Sequence, residues 1–216
     1  MKCFVIAMQN EADPVVRAMR VDRDLKFCGK RMLTGSVYGE RAGLIVCGIG
    51  KVNAACGTQI AIDELGADSI INLGVAGGLN KSVEVGEIYE ISHAVQYDFD
   101  LTQLNGGEIG TLDECKQNYL PLTVRGAYPA RKLATGDRFN DSPTDYKLIT
   151  KTLGADIRDM EGAAVAQVCM HAKIKCSQFK IISDMAGAGS TTAQYLSNLS
   201  KCFRTLDREL EKIIKL

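Results

Sequence analysis

The chain has little from which to build a metal site or an anion-binding surface. Only two histidines occur in its 216 residues, and none of its eight cysteines (Cys3, Cys28, Cys47, Cys56, Cys115, Cys169, Cys176, Cys202) falls in a C-x-x-C pair. Structural zinc needs closely spaced nitrogen and sulfur ligands, so no metal is expected, and no cofactor is either. Lys plus Arg and Asp plus Glu number 26 each, which gives a formal net charge of zero, and the cations form no cluster. Affinity for phosphate backbones or anionic lipid requires accumulated positive charge, so neither nucleic acid nor a membrane surface is an expected partner. No apolar run approaches the roughly 18 residues of a membrane helix. The apolar run Cys3–Met8 is too short for a signal peptide, and a reduced, cytoplasmic chain with small buried thiols is the expectation. Repeats, linkers and low-complexity segments are also missing, so one domain over residues 1–216 is expected, with a small molecule as its partner.

What is present is an ordinary globular composition, 46% apolar and 24% charged. Cys3–Met8 reads as a strand buried on both faces, followed by a helix from Glu11 to Met19 with Pro14 in its first turn. Two hairpin-like segments, Met32–Tyr38 and Arg41–Cys47, lead through Gly48-Ile49-Gly50 into a helix, Val52–Leu65, ended by Gly66. Ser69–Leu73 reads as a second buried strand breaking into the glycine-rich turn Gly74–Gly78. After a strand at Glu87–Ala94 and an irregular stretch, Leu101–Leu112, the pattern resumes. A strand runs from Lys132 into Thr135-Gly136-Asp137, a helix covers Pro143–Leu153, and a short strand ends at Asp159. Helix Glu161–Ala172, strand Ser177–Ile182 and helix Thr192–Leu216 follow. In the last helix Leu199, Cys202, Phe203, Leu206, Leu210, Ile213 and Ile214 recur at three- and four-residue spacing, a core-facing stripe. Alternating strands and helices imply a layered α/β domain.

Ligands in such folds bind beyond the carboxyl ends of strands, which singles out four places. Gln9-Asn10-Glu11 sets a carboxylate after the first strand, although an acid there also suits a helix start. Gly74–Gly78 would let backbone approach a ligand closely, but it is neither G-x-G-x-x-G nor a P-loop. Asp159-Met160-Glu161 carries two acids around a methionine, equally readable as a sugar-hydroxyl site or as acids matched to a helix dipole. Ser183-Asp184 ends a strand; an Asp kept from water can stay protonated and serve as an acid, or it can cap a helix.

Together and in this order, A-M-Q-N-E (7–11), G-I-G-K-V-N-A-A (48–55), N-L-G-V-A-G-G-L (72–79), V-Q-Y-D-F-D-L-T (95–102), A-T-G-D-R-F (134–139), D-M-E-G-A-A-V-A (159–166) and I-S-D-M-A (182–186) span nearly the whole chain. In them the chain resembles the 5′-methylthioadenosine/S-adenosylhomocysteine nucleosidases of the purine nucleoside and uridine phosphorylase superfamily. The resemblance implies a three-layer α/β/α sandwich whose twisted mixed sheet partly closes into a barrel, a homodimer, and hydrolysis of an adenosine N-glycosidic bond. It implies that Asp184 protonates the purine N7 and that Glu11 takes a proton from the attacking water. Glu161 would hold the ribose hydroxyls with Met160 packed nearby, Phe139 would stack on the base, and the backbone of Asn140 would meet its edge. Met8, Ile49, Ala76 and Gly77 would line the rest of the pocket, and Ser183 would steady Asp184.

Phosphorylases of this superfamily carry an Arg where Asn72 stands, and Glu11 lies where a phosphate dianion would need cations, so water is the expected nucleophile. A phosphorylase and a non-catalytic nucleoside-binding module are the alternatives. The chain departs from the family pattern at several positions. Val75 stands where Ser is frequent, Lys180 replaces an Arg, Asp159 is shorter than the usual Glu, Asn140 replaces an apolar residue, and Leu104 stands where Phe is common. Gly187–Ser190 replaces an acid-bearing segment, and no aromatic is recognised after it to cap the substrate. These differences bear on the 5′ substituent and the base.

Overall fold

The computed structural model describes residues 1–139 and 141–216. The expected opening strand is β1 (Lys2–Ile6), and it passes into α1 (Gln9–Ala18). β2 (Met19–Phe27), β3 (Lys30–Val37) and β4 (Glu40–Val46) form an antiparallel meander, and β4 lies parallel to β1. α2 (Lys51–Leu65) then leads to β5 (Ser69–Gly78) and β6 (Ile88–Gln96). A single turn, α3 (Thr102–Asn105), and the short β7 (Leu120–Pro121) precede β8 (Ala130–Thr135). The chain ends with α4 (Pro143–Lys147), β9 (Ile157–Asp159), α5 (Gly162–Ala172), β10 (Lys175–Met185) and α6 (Thr191–Lys215).

The strands make one mixed sheet that closes on itself. β5 pairs with β10 and β9, β9 with β8, β8 with β6, and β6 with β10, a ring of five strands. β1, β4, β3 and β2 extend from β5 as an open wing. α1 and α6 pack on one face and α2 with α5 on the other. The expected three-layer sandwich with a partly closed sheet is therefore the architecture found. Among the described residues no helix is long and apolar enough to cross a membrane.

Burial follows the sequence pattern. β1 is buried from Cys3 to Ile6, as a strand covered on both faces must be. The α6 stripe buries Cys202, Leu206, Leu210, Ile213 and Ile214 against Phe4, Phe179 and Ile181, with each large aliphatic contributing about 1.5–3 kcal/mol. Leu199 and Phe203, also expected on that stripe, are half-buried.

Four local expectations are corrected. Gly74–Gly78 is not a turn: β5 runs through it, because its neighbours need the space a side chain would take. β2 escapes a reading based on burial because seven of its nine residues are exposed, and backbone pairing with β3 holds it. α1 begins at Gln9 rather than Glu11, since the Glu11 carboxylate accepts from the Met8 N–H and caps the helix there, which puts Pro14 one turn deeper. The helix expected over Pro143–Leu153 changes after Lys147 to wider π-helical turns, Leu148–Leu153, that stop at Gly154 in the left-handed conformation, φ 66°.

Phe179 is the aromatic centre of the α6 layer, 2% exposed and edge-to-face with Tyr128 at 5.9 Å. Phe179→Ala should cost about 3–5 kcal/mol, measured by urea unfolding; a loss under 1 kcal/mol would mean that the layer repacks freely.

Candidate active site

The carboxyl ends of β1, β4, β5, β8, β9 and β10 converge on a cleft of about 370 Å³. Met8, Glu11, Ile49, Ala76, Gly77, Phe139, Met160, Glu161, Ser183 and Asp184 all line it, so every site residue expected from the sequence is brought together except Asn140, which lies outside the described residues.

Each carboxylate is held differently. Glu11 is 3% exposed; its Oε2 accepts from the Met8 N–H at 3.2 Å and its Oε1 from the Val75 N–H at 2.8 Å. One side chain thus satisfies both readings of its position, capping a helix and facing a cleft. A Cβ at Gly74 would come within 2.9 Å of Glu11 Oε1, so the glycine is what admits the carboxylate. Burial pushes the Glu11 carboxyl above its ordinary range, against the lowering effect of those backbone donors and of Lys180.

The two acids of Asp159-Met160-Glu161 divide their tasks. Asp159 Oδ2 meets Lys180 Nζ at 2.8 Å and caps α5 by accepting from the Gly162 N–H at 2.9 Å, while Oδ1 accepts from Thr135 Oγ1 at 2.6 Å. Glu161 turns the other way, and its Oε1 accepts from the Gly50 N–H at 2.8 Å. Burial, then the charge of Asp159, pushes the Glu161 carboxyl up to about 7. Lys180 is 2% exposed. Burial works against its charge, but Asp159, Glu161 and Glu11 outweigh this and hold it above the usual lysine range. Lys180 and Asp159, separate departures in sequence, are the two halves of one buried ion pair.

Asp184 lies inside β10 at a bulge between Ile182 and Asp184, and it caps no helix. Its Oδ1 accepts from Ser183 Oγ at 2.7 Å, while Oδ2 is buried without a partner among the described residues. Burial raises this carboxyl above its ordinary range, opposed by the Ser183 hydroxyl and by Arg158. A protonated Oδ2 facing an apolar cleft is a donor waiting for an acceptor.

Three charged or aromatic lining residues were not singled out in the sequence. Tyr195 supplies the aromatic thought missing after Asp184: it stands on α6, edge-to-face with Phe139 at 5.5 Å, and its hydroxyl meets Met8 Sδ at 3.7 Å. It continues the Leu199–Cys202–Leu206 stripe one turn earlier, a signal that periodicity carries. Arg138 and Arg158 line the cleft as well. They follow or occupy strands otherwise read only for their neighbours. Asn72 does not reach the cleft; its side chain donates to Val5 O at 2.8 Å and ties β5 to β1. Leu104 is 79% exposed on α3 and does not line this chain's cleft. Among the described residues no group of three or more His, Cys, Asp or Glu side chains is arranged to hold a metal.

A cleft at the carboxyl ends of a partly closed sheet, floored by separately held acids, carries a family signature over the full chain. The phosphorylase superfamily model matches residues 2–215. The chain belongs to the phosphorylase superfamily. Within this superfamily it is similar to a 5′-methylthioadenosine/S-adenosylhomocysteine nucleosidase of Geobacillus thermodenitrificans, 30% identical with 93% of this chain and 92% of the relative covered. It is also similar to an aminodeoxyfutalosine nucleosidase of Campylobacter jejuni, 29% identical with 84% of each chain covered. Among solved structures, the 5′-methylthioadenosine/S-adenosylhomocysteine nucleosidase of Neisseria meningitidis in complex with methylthio-immucillin-A superposes with a TM-score of 0.88 at 25% identity, covering 99% of this chain and 98% of that one. The family resemblance read from the motifs is borne out.

Glu161 gives this superfamily site a measurable pH signature. A carboxyl raised in the folded state contributes most stability below its unfolded value near 4.5 and loses that contribution as pH rises through about 7. Glu161→Gln, which resembles the protonated form, should therefore match the parent near pH 5 and exceed it by about 2–3 kcal/mol at pH 8 in thermal or urea unfolding. A difference that stays constant with pH would show that Glu161 titrates normally.

Proposed function

We propose that this protein is a nucleosidase that hydrolyses the N-glycosidic bond of adenosine-type nucleosides, 5′-methylthioadenosine or S-adenosylhomocysteine, releasing adenine and the thioribose product. The observation that carries the reading is the local charge around Lys180, a single buried ammonium faced by Glu11, Asp159 and Glu161; the two arginines that line the cleft stand apart from this cluster, Arg138 paired with Asp145 and Arg158 beside Asp184. That excess of negative charge repels a phosphate dianion and favours both a neutral nucleophile and a developing cation.

The residues then act in sequence. Phe139 and Tyr195 hold the base, with Ala76 and Gly77 along its edge. Asp184 gives the proton on Oδ2 to N7, so the electron pair of the breaking C1′–N9 bond leaves on a neutral base; Ser183, donating to Oδ1, keeps Oδ2 turned inward. The sugar becomes oxocarbenium-like, and ionised Glu161 stabilises it through the ribose hydroxyls while Met160 and Met8 pack against the ring. Glu11, made more basic by burial, accepts the proton of the attacking water. General acid and base steps of this kind are each worth about 10²–10⁴-fold. The mechanism needs no metal or cofactor. Products of this class belong to purine and methionine salvage.

The reading extends to the whole chain as one catalytic unit, to the cytoplasm and to a homodimer. Free cysteines suit a reducing compartment. Ile49 at the cleft mouth, Val52 (81% exposed) on the outer face of α2, and Leu104 are apolar side chains that a second copy would cover.

Free-base release from 5′-methylthioadenosine should proceed without phosphate, and phosphate-dependent release would overturn hydrolysis. Asp184→Asn should lose at least about 10²-fold in kcat while still binding nucleoside, because the shape remains and the proton does not; an unchanged rate would remove Asp184 from the mechanism. Val52→Glu should shift the protein to monomer in sedimentation velocity, and a parent already monomeric would end the dimer reading.

A further inference from the structure

Two arginines line the cleft without a part in that mechanism: Arg138, which is paired with Asp145, and Arg158. Across β10, β5 and β9, Asp184 pairs in register with Gly77, and Gly77 with Arg158, so the three lie side by side. Gly77 is the low point between them. A Cβ there would come within 2.9 Å of Asp184 Oδ2 and 3.2 Å of Arg158 Nε. Carboxyl and guanidinium therefore lean over the same glycine from opposite sides. They do not bond to each other: Asp184 Oδ2 is without a partner among the described residues. Arg158 makes one side-chain hydrogen bond among the described residues, from Nη2 to Thr191 Oγ1 at 3.3 Å, and the Thr191 hydroxyl in turn bonds to Asp141. A guanidinium has five N–H donors and no acceptor, so this single tether orients Arg158 and leaves most of its donors unspent.

The pair presents a purine with a donor beside a donor. The edge that carries N7 also carries the substituent at C6. On a 6-oxopurine that edge shows two acceptors, N7 and O6; on adenine it shows the N7 acceptor next to an amino donor. We propose that Arg158 gives this cleft a second substrate class, 6-oxopurine nucleosides such as inosine and guanosine, with O6 accepting from the guanidinium while N7 takes the proton of Asp184. The proposal rests on the N-glycosidase reading above. In the step it describes, the C1′–N9 bond breaks and its electron pair leaves on the base, and the Asp184 proton goes to N7. The water oxygen bonds to C1′ and its proton goes to Glu11. As the base departs, negative charge spreads onto O6, which makes the contact with Arg158 stronger in the transition state than in the ground state. Adenine meets Asp184 through N7 and offers Arg158 nothing to accept its donors.

The test compares phosphate-free hydrolysis of inosine and adenosine by the parent, Arg158→Met and Arg158→Lys, together with calorimetric affinities for hypoxanthine and adenine. The parent should cleave both nucleosides. Arg158→Met should lower the inosine-to-adenosine ratio of kcat/KM by about tenfold to a hundredfold, lower hypoxanthine affinity more than adenine affinity, and regain part of the ratio in Arg158→Lys. Adenosine cleavage by the parent with no inosine cleavage would overturn the proposal and leave the nucleosidase reading standing. Equal losses for both bases would also overturn it, reducing Arg158 to a counter-ion of Asp184. Cleavage of neither nucleoside while 5′-methylthioadenosine is still cleaved would overturn the proposal and leave the nucleosidase reading standing; with 5′-methylthioadenosine uncleaved as well, the nucleosidase reading falls and the base affinities decide the matter, hypoxanthine bound through Arg158 supporting the assignment and hypoxanthine bound no better than adenine overturning it.

Discussion

The contact on which the rest of the site depends is the buried ion pair of Lys180 and Asp159, 2.8 Å apart with both side chains 2% exposed. An isolated charge in such a place is strongly destabilising, and each partner makes the other tolerable. The pair also joins elements distant in sequence. Lys180 comes from β10; Asp159 ends β9, caps α5 through the Gly162 N–H and takes a hydrogen bond from Thr135 at the end of β8. Closure of the barrel and the start of α5 meet at one carboxylate. With Asp159 bound in this way, Glu161 is left to face the cleft, and the positive charge of Lys180 moderates Glu161 and Glu11 without neutralising them.

Around that pair the sheet is hollowed where acids need room. Gly74 makes space for Glu11 and Gly77 for Asp184 and Arg158, while at Gly162 a Cβ would come within 3.0 Å of Asp159 Oδ2. These glycines serve by lacking a side chain, and at none of the three is a left-handed backbone required. The same economy explains why β5 continues through a segment whose composition reads as a turn: β10 pairs along it and β9 pairs at Gly77 and Gly78, and the missing side chains give up packing that a carboxyl then occupies.

Much of the fold was legible because burial and periodicity leave a mark in sequence. The apolar run of β1 and the α6 stripe are of this kind, and Tyr195 belongs to the stripe although its role in the cleft does not show there. β2 was not legible, since seven of its nine residues are exposed and it is held by backbone pairing with β3 and by the ion pairs Asp24–Arg31 and Asp22–Arg41, none of which leaves an apolar pattern. The carboxylates were legible as positions after strands, and in each case a second reading as a helix acid or cap was open. The structure shows that these readings need not compete: Glu11 caps α1 with one oxygen and reaches β5 with the other, while Asp159 takes the cap and leaves Glu161 to the cleft.

Sequence by itself determined the family, the layered α/β architecture and which acids gather at one end of the sheet, because each rests on local pattern or on motifs whose order survives without coordinates. Tertiary structure alone decided which charges are neighbours. Lys180 and Asp159, or Arg158, Gly77 and Asp184, are separated by tens of residues along the chain and joined only by strand register. Electrostatic coupling depends on distance through space and on exclusion of water, and neither is written in the spacing of residues along a chain.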